Sequence, residues 1–207
     1  MTSQEMLEHL KAISSLAQIG LLYNKEAYDR ERYTEILERS KLMIENISGI
    51  ALETLHEFFS IPEDYITPMV DVRAFVLNDK QEILMVKEKA DGLWSIPGGW
   101  ADVGHSPAEI AVKEVMEETG IEVKAKRLLG IADKSKHSYK PALHYVYKIF
   151  IHCEITGGEF KRAHDMLDVG FFSPDALPPL STDRIVASQL ETLLATANDI
   201  TKQPFFD

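Results

Sequence analysis

The 207-residue sequence has only one cysteine, Cys153, so no internal disulfide can form. This composition is typical of a reducing compartment, and we expect a cytoplasmic location. Long apolar runs are also missing, and the N-terminus carries charges where a signal peptide would be apolar. These absences predict a chain with no membrane span and no secretion signal.

Basic residues are scarce, because 22 lysine and arginine residues face 33 aspartate and glutamate residues. The resulting formal net charge of -11 repels nucleic-acid backbones, so we expect no DNA partner. A small phosphorylated substrate stays compatible with this charge, since a bound metal ion can outweigh the global field.

Helical periodicity fills the first 59 residues. It predicts one helix ending near residues 20–24, a second from about residue 29 to Gly49, and a third over residues 52–59. The apolar stripe of the first helix comprises Met6, Leu10, Ile13 and Ala17. We assign residues 1–64 to a small all-helical domain. Since so few helices bury little core alone, we expect it to be a dimerisation and substrate-closing module that forms a homodimer.

The pattern changes to strand-like alternation at Met69, and residues 65–207 are predicted to form a mixed α+β domain. Val70, Val72, Ala74 and Val76 fall on one face of the first strand. Residues 78–80 resemble a hairpin turn that leads into a returning strand over residues 83–86. Further strands are predicted over residues 127–131 and 145–155, and an amphipathic helix over residues 182–195.

Residues 98–123 contain a helix whose two ends are marked by the sequence. Ser106 and Glu109 form an S-x-x-E capping box, and Pro107 suits the first helical position. Gly120 is placed to end the helix. The sequence therefore predicts a helix over residues 107–119.

Three carboxylates, those of Glu114, Glu117 and Glu118, fall within an arc of about 100° on this helix. The opposite side is predicted to be core and comprises Ala108, Val112, Val115 and Met116. Clustered carboxylates repel each other, and a hard cation such as Mg²⁺ or Mn²⁺ relieves that repulsion. A run of acidic residues alone is more often a solvated helix face than a metal site, so the choice between the two depends on the neighbouring sequence.

That context resembles the Nudix box, whose pattern is G-x5-E-x7-R-E-U-x-E-E-x-G-U with U apolar. Gly99 matches the first glycine, and residues 113–121 match the second half in register. Residues 93–99, LWSIPGG, resemble the usual lead-in. The resemblance implies a Nudix α/β/α sandwich with a mixed sheet. It also implies a metal-dependent hydrolase that cleaves nucleoside diphosphates linked to another moiety.

Two positions depart from the pattern, because His105 replaces the first glutamate and Lys113 replaces the arginine. Lys113 can still pair with Glu117 four residues later, though without a bidentate fork. His105 fits a supporting role better than a metal-ligand role, since Mg²⁺ prefers oxygen ligands. Activity is therefore expected to survive both changes.

The resemblance also implies which residues hold the ion. The expected metal ligands are Gly98 through its carbonyl, Glu114, Glu117, Glu118 and the later Asp165. Asp168 is the rival of Asp165. The three glutamates are the catalytic candidates, and which carboxylate acts as the base stays open.

Substrate contacts are expected from Arg73, Lys89, Trp94 and Gly99, although Arg73 could equally form a structural ion pair. Residues 20–33 resemble the helical extension of a bacterial Nudix subgroup that includes CDP-choline and ADP-ribose pyrophosphatases. This resemblance favours CDP-choline as substrate, with ADP-ribose as the alternative. Candidate aromatic walls for choline are Tyr23, Tyr28, Tyr33, Trp94, Trp100 and Tyr139. A nucleotide-binding regulator without catalysis is the alternative of another class.

Overall fold

The computed structural model describes residues 1–161, 163–164 and 166–207. The chain divides into two compact units, Met1–Thr67 and Pro68–Asp207, where the sequence had suggested a boundary between residues 64 and 65. Across the described residues, every helix is too short or too polar to cross a membrane.

The first unit contains the three predicted helices, α1 (Ser3–Tyr23), α2 (Ala27–Ser48) and α3 (Leu52–Phe58). Thr2 begins α1 with a capping box, and Gly49 ends α2 in the left-handed conformation. Helical structure in this part of the chain is therefore confirmed.

The predicted apolar stripe of α1 was partly wrong. Leu10 and Ala17 are buried, whereas Ile13 is 41% exposed. The buried face is turned toward Leu7 and Leu21 and also includes Gln18, whose side-chain amide donates a hydrogen bond to Ser60 O at 2.6 Å. Periodicity could not reveal this rotation, because a polar residue that finds a partner packs as well as an apolar one.

The second unit is mixed α+β, as predicted. Its elements are β1 (Met69–Val76), β2 (Ile83–Glu88), β3 (Trp94–Ser95), β4 (Gly98–Trp100), α4 (Pro107–Thr119), β5 (Ile121–Asp133), β6 (Val146–Gly158), β7 (Met166–Phe172), α5 (Ala187–Asn198) and β8 (Phe205–Phe206). A five-stranded sheet has the order β4-β1-β6-β5-β8, and a three-stranded sheet has the order β3-β2-β7. The larger sheet is mixed, since β1 runs parallel to β6 and antiparallel to β4.

Two apolar clusters cover opposite sides of β1. Ile110 and Val115 of α4 pack in the cluster that contains Val72. The other cluster contains Phe75 of the same strand together with Leu190 of α5. Helices therefore flank the sheet layers, and β1 is buried on both faces.

The predicted hairpin of β1 and β2 was wrong in one respect. A turn does connect the strands, and Asn78 holds it with its side-chain oxygen, which accepts from Lys80 N and Glu82 N at 2.9 Å each. The strands then diverge into different sheets, and only the bridge between Leu77 and Ile83 joins them. The strand partners of β1 are instead β4 and β6, and alternation within one strand carries no information on such pairing.

The last helix begins later than predicted, at Ala187 instead of residue 182. Before it, Ser181 N donates to Trp94 O at 2.7 Å, and Ser181 Oγ donates to Asp91 Oδ2 at 2.6 Å. These tertiary hydrogen bonds hold Ser181 in place, a turn follows over residues 182–184, and the helix starts only after it.

Arg127 of β5 caps the C-terminal end of α5. Its guanidinium donates hydrogen bonds to Thr196 O, to Asp199 O at 3.0 Å and to Lys202 O at 3.3 Å. Helix C-termini leave carbonyl groups without helical partners, and a cation there also interacts favourably with the helix dipole.

We expect Arg127→Met to lower the free energy of unfolding by about 2 kcal/mol, since several charge-assisted hydrogen bonds are lost. Urea unfolding followed by circular dichroism measures the change. Lys126→Met is the matched control, because Lys126 forms an exposed ion pair with Glu154 and its removal should cost under about 1 kcal/mol. Equal losses in the two variants would contradict the capping role.

Candidate active site

Helix α4 has the predicted ends. Ser106 Oγ accepts from Glu109 N at 3.3 Å, and Glu109 Oε2 accepts from Ser106 N at 2.8 Å. Gly120 ends the helix with a φ of 75°. The capping box and the glycine stop are thus confirmed, and they fix the register of the three glutamates.

The buried face of α4 differs from the prediction. Val115 is buried and Val112 is half-buried, but Ala108 and Met116 are exposed. The buried residues of the helix are Ile110, Ala111, Val115, Glu118 and Thr119. Relative to the prediction, the helix is rotated about its axis so that Glu118 lies at the edge of the packed face. As a result Glu118 is buried, whereas the adjacent Glu117 is exposed.

Glu118 is held beneath the start of β4. Its carboxylate is almost fully buried, and Oε2 accepts a hydrogen bond from Gly98 N at 3.1 Å. Burial raises the pKa of Glu118 to about 8, and the charge of Arg73 and the Gly98 N–H only partly oppose that shift. An ionised Glu118 at neutral pH therefore requires further positive charge.

Glu114 lies beside Gly99, where a Cβ would come within 3.2 Å of Glu114 Oε2. Burial is the main cause that raises the pKa of Glu114, and the Glu117 charge adds to it. Glu117 itself is 58% exposed and lies 3.8 Å from Lys113 Nζ. Glu114 and Glu118 are thus brought together, while Glu117 faces outward.

A pocket of about 390 Å³ is lined by the buried Glu118 and the half-buried Glu114. Its charged lining comprises Asp71, Arg73, Glu88, Glu114, Glu118, Lys134, Asp183 and Arg184. Gly98, Gly99 and Trp100 also line it. The pocket therefore combines carboxylates, which can bind a metal cation, with arginine and lysine side chains, which can bind phosphate oxygens.

The remaining predicted site residues are divided between the pocket and the rest of the fold. Arg73 lines the pocket and also forms the structural ion pair, with its Nε 2.8 Å from Asp71 Oδ1. Trp94 lies in the hydrophobic core with its ring 4.6 Å from that of Phe172, and Lys89 is exposed in the turn after β2. Asp165 lies outside the described residues, and Asp168 is exposed on β7.

Sequence reasoning missed several pocket residues. Arg184 Nε lies 3.0 Å from Glu88 Oε1, so residues far apart in the chain form one ion pair. Asp71 could have been found, because two opposite charges alternate with valines in an otherwise apolar strand. Lys134 and Arg184 carried no such signal, since they resemble ordinary loop residues.

The two departures from the box pattern, Lys113 and His105, do not line the pocket. Lys113 pairs with Glu117, as predicted, but its shortest ion pair is to Asp102 at 2.7 Å. His105 is exposed in the loop before α4, near the carboxylates of Asp102 and Glu109.

Two family comparisons agree with this geometry. Residues 67–193 match the NUDIX domain, and residues 4–59 match the UDP-X-like, N-terminal oligomerisation domain. The chain therefore belongs to the Nudix family. It is a hydrolase that cleaves the pyrophosphate of nucleoside diphosphates linked to another moiety.

Individual relatives show how far the similarity extends. A putative ADP-ribose pyrophosphatase of Bacillus subtilis, YjhB, is 41% identical over 97% of this chain and 96% of its own length. The crystal structure of an ADP-ribose pyrophosphatase from Streptococcus suis is 42% identical, covers 68% of this chain and 100% of its own, and gives a TM-score of 0.62. The structure of a UDP-X diphosphatase covers 100% of both chains at 30% identity, with a TM-score of 0.64.

Nudix hydrolases generally use divalent metal ions, and the donor set in this pocket fits one. Glu114 and Glu118 offer hard oxygen ligands, and burial raises the pKa of both. In the described ranges, no three acidic, histidine or cysteine side chains already converge as a ligand set. The fit therefore rests on the buried carboxylate of Glu118 and the half-buried carboxylate of Glu114, whose negative charge a cation would compensate.

We expect a divalent ion to raise the melting temperature more at about pH 8 than at about pH 6. Since the pKa of Glu118 is raised from 4.5 to about 8, the metal-free folded protein retains a proton that the unfolded chain releases. Metal-free stability therefore falls as pH rises from about 5 to about 8. Differential scanning fluorimetry with Mg²⁺ or Mn²⁺ measures the gain. In Glu118→Gln, the metal-induced gain in melting temperature should no longer differ between about pH 6 and about pH 8. Equal gains at the two pH values in wild type would refute the role of Glu118 titration.

Proposed function

We propose that this chain hydrolyses CDP-choline to CMP and phosphocholine, with Mg²⁺ or Mn²⁺ as its ion. The observation that carries the choice is Trp100, whose indole is 50% exposed and lines the same pocket as the carboxylates. An exposed aromatic face in acidic surroundings suits a quaternary ammonium group through cation–π attraction. Residues 20–33 resemble the extension of a subgroup that includes CDP-choline and ADP-ribose pyrophosphatases, and this resemblance favours CDP-choline.

In this proposal Glu114, Glu118 and the Gly98 carbonyl would hold the ion, with Glu117 and Asp165 as further ligands. When bound, the ion lowers the pKa of water and neutralises charge on the phosphoryl oxygens. Glu114 and Glu118 are the candidates for taking the proton from the attacking water, since both carboxylates line the pocket.

Substrate orientation is assigned to the cationic side of the pocket. Arg73, Lys134 and Arg184 line it and offer donors to the two phosphoryl groups. Gly99 leaves room for the carboxylate of Glu114 beside the substrate. A sequence with a net charge of -11 needs such a local cluster to attract an anionic substrate.

ADP-ribose is the second candidate, favoured by the two relatives named ADP-ribose pyrophosphatases at 41% and 42% identity. The deciding measurement is kcat/KM for CDP-choline, ADP-ribose, nucleoside triphosphates and dinucleoside polyphosphates under one metal condition, with products identified. We expect CMP and phosphocholine to form fastest. A higher kcat/KM for ADP-ribose establishes the alternative, and binding without products would identify a regulator.

The choline site has its own matched test. Trp100→Leu should lower kcat/KM for CDP-choline about tenfold, since the cation–π contact is removed. CDP-glycerol, which has an uncharged head group, is the control substrate and should be much less affected. An equal loss of kcat/KM for both substrates would show that Trp100 does not bind the quaternary ammonium group.

We assign residues 1–64 to homodimerisation and to closing over the substrate. Leu16 is 67%, Tyr23 64% and Tyr28 78% exposed in the first unit, and large exposed apolar side chains favour association. Leu16→Arg should convert the dimer to a monomer in size-exclusion chromatography with light scattering. Ile200→Arg, at a position 79% exposed in the second unit, is the control that should leave the dimer intact.

A further inference from the structure

Lys148 is fully buried in the second unit, and none of the roles described so far uses it. An ammonium group is strongly unfavourable in such a place unless it is paired. Lys148 lies on β6 opposite Asp71 of the parallel strand β1, and its Nζ donates a hydrogen bond to Asp71 Oδ2. Its Nζ also lies 5.3 Å from the centroid of the Tyr139 ring.

The carboxylate of Asp71 is shared between two cations. While Oδ2 accepts from Lys148, Oδ1 accepts from Arg73 Nε at 2.8 Å. Burial would raise the pKa of Asp71, but the charges of Arg73 and Lys148 outweigh it and keep the pKa low. One negative charge thus stands between two positive charges.

Arg73 is the cation of this trio that lines the pocket. Its Nη1 donates to Ile96 O at 3.2 Å and to Ser95 Oγ at 3.3 Å, which fixes the guanidinium at the pocket wall. The Glu118 charge is close enough to help raise the pKa of Arg73 against the effect of burial. The charge that Arg73 presents to the pocket therefore depends on how much of it Asp71 cancels.

We propose that Lys148 is a positioning residue that occupies one oxygen of Asp71 and so leaves Arg73 with net positive charge toward the diphosphate. Without Lys148, both oxygens of Asp71 are available to the guanidinium, which favours bidentate pairing with carboxylates. Arg73 would then turn toward Asp71 and its charge would be cancelled. This inference rests on the proposed function, because it places substrate phosphates against Arg73.

The test uses the full-length protein with Mg²⁺ and methylenediphosphonate, a diphosphate that cannot be hydrolysed. Lys148→Met keeps the side-chain length and removes the charge. We expect the Kd of the probe and the KM for CDP-choline to rise about tenfold, with a smaller change in kcat, because one positive charge near the phosphates is cancelled. Thermal melting checks that the variant is folded.

A double variant separates this role from core packing. In Asp71→Asn/Lys148→Met, the carboxylate at position 71 is removed together with the lysine. No negative charge at position 71 then offsets the positive charge of Arg73. We expect the Kd to return to within about threefold of wild type. A packing role for Lys148 predicts the reverse, a double variant that binds worse than Lys148→Met, and that result overturns the inference.

Arg73→Gln distinguishes the failure of this inference from failure of the proposed site. If Arg73→Gln leaves the Kd unchanged, the phosphate site itself is misplaced and the inference falls with it. If Arg73→Gln weakens binding but Lys148→Met does not, the site stands and only the inference is refuted.

Should Lys148→Met not fold, wild type and the double variant are compared as pH rises. Burial lowers the pKa of Lys148 to about 8, while Asp71 opposes and Arg73 and Lys134 add to that shift. Glu118 titrates in the same range in both proteins, so the difference between them is the readout. Above about pH 8, wild type should lose affinity for methylenediphosphonate relative to the double variant, which has no lysine at position 148. An identical pH dependence in both proteins would refute the inference.

Discussion

Replacing Glu118 by glutamine is expected to cut kcat about 10²-fold or more at saturating metal while the fold stays intact. The carboxylate of Glu118 lines the pocket beside Glu114, and in the proposed function its charge holds the catalytic ion. Glutamine keeps the shape and can still accept the hydrogen bond from Gly98 N. It resembles the protonated carboxyl, which is the form that burial already favours in the metal-free protein.

Steady-state kinetics over a range of Mg²⁺ and Mn²⁺ concentrations measures this loss. Glu191→Gln is the matched control, because Glu191 is exposed on α5 outside the pocket and should keep wild-type kcat. Near-wild-type turnover of Glu118→Gln at saturating metal would show that α4 does not hold the catalytic ion.

Gly98→Ala is expected to lower the free energy of unfolding by about 3 kcal/mol or more and to abolish turnover. A Cβ at this position would lie 2.1 Å from Val72 O and 2.8 Å from Arg73 Cα, and both are backbone atoms that cannot turn away. Gly98 also has a φ of 142°. The strand β4 must therefore move away from β1, and that movement breaks the hydrogen bond between Gly98 N and Glu118.

Gly104→Ala separates the steric clash from backbone strain. Gly104 has a φ of 91°, but no atom lies within 4 Å of its added Cβ. We expect it to cost about 1 kcal/mol and to leave most activity. Urea unfolding and kcat are measured for both variants. If Gly104→Ala is as damaging as Gly98→Ala, close approach to β1 is not the reason that residue 98 is glycine.

Local patterns were enough to predict α4 and its ends. Ser106, Glu109 and Gly120 act through hydrogen bonds and dihedral angles within a few residues, so their spacing determines the result. The same holds for the turn at Asn78, where side-chain hydrogen bonds close the loop. Errors began where the outcome depended on a distant partner, as in the assignment of β1 and β2 to one sheet.

The rotation of α4 illustrates such an error. The sequence placed Glu114, Glu117 and Glu118 on one arc, and helical geometry does put them there. Packing of Ile110 and Val115 against β1 then buried Glu118 and left Glu117 exposed. Two neighbouring glutamates thus differ in environment because of contacts that lie far away in the sequence.

By itself, the sequence determined the helical first part, the mixed α+β second part and the capped helix that carries Glu114, Glu117 and Glu118, because periodicity and capping are local. Only the tertiary structure decided that Asp71 stands between Lys148 and Arg73, and that Arg184 meets Glu88 at the pocket. The physical reason is that burial and long-range pairing set the charge state of a group. Both depend on which strands become neighbours, and that choice is made by the packing of the whole sheet.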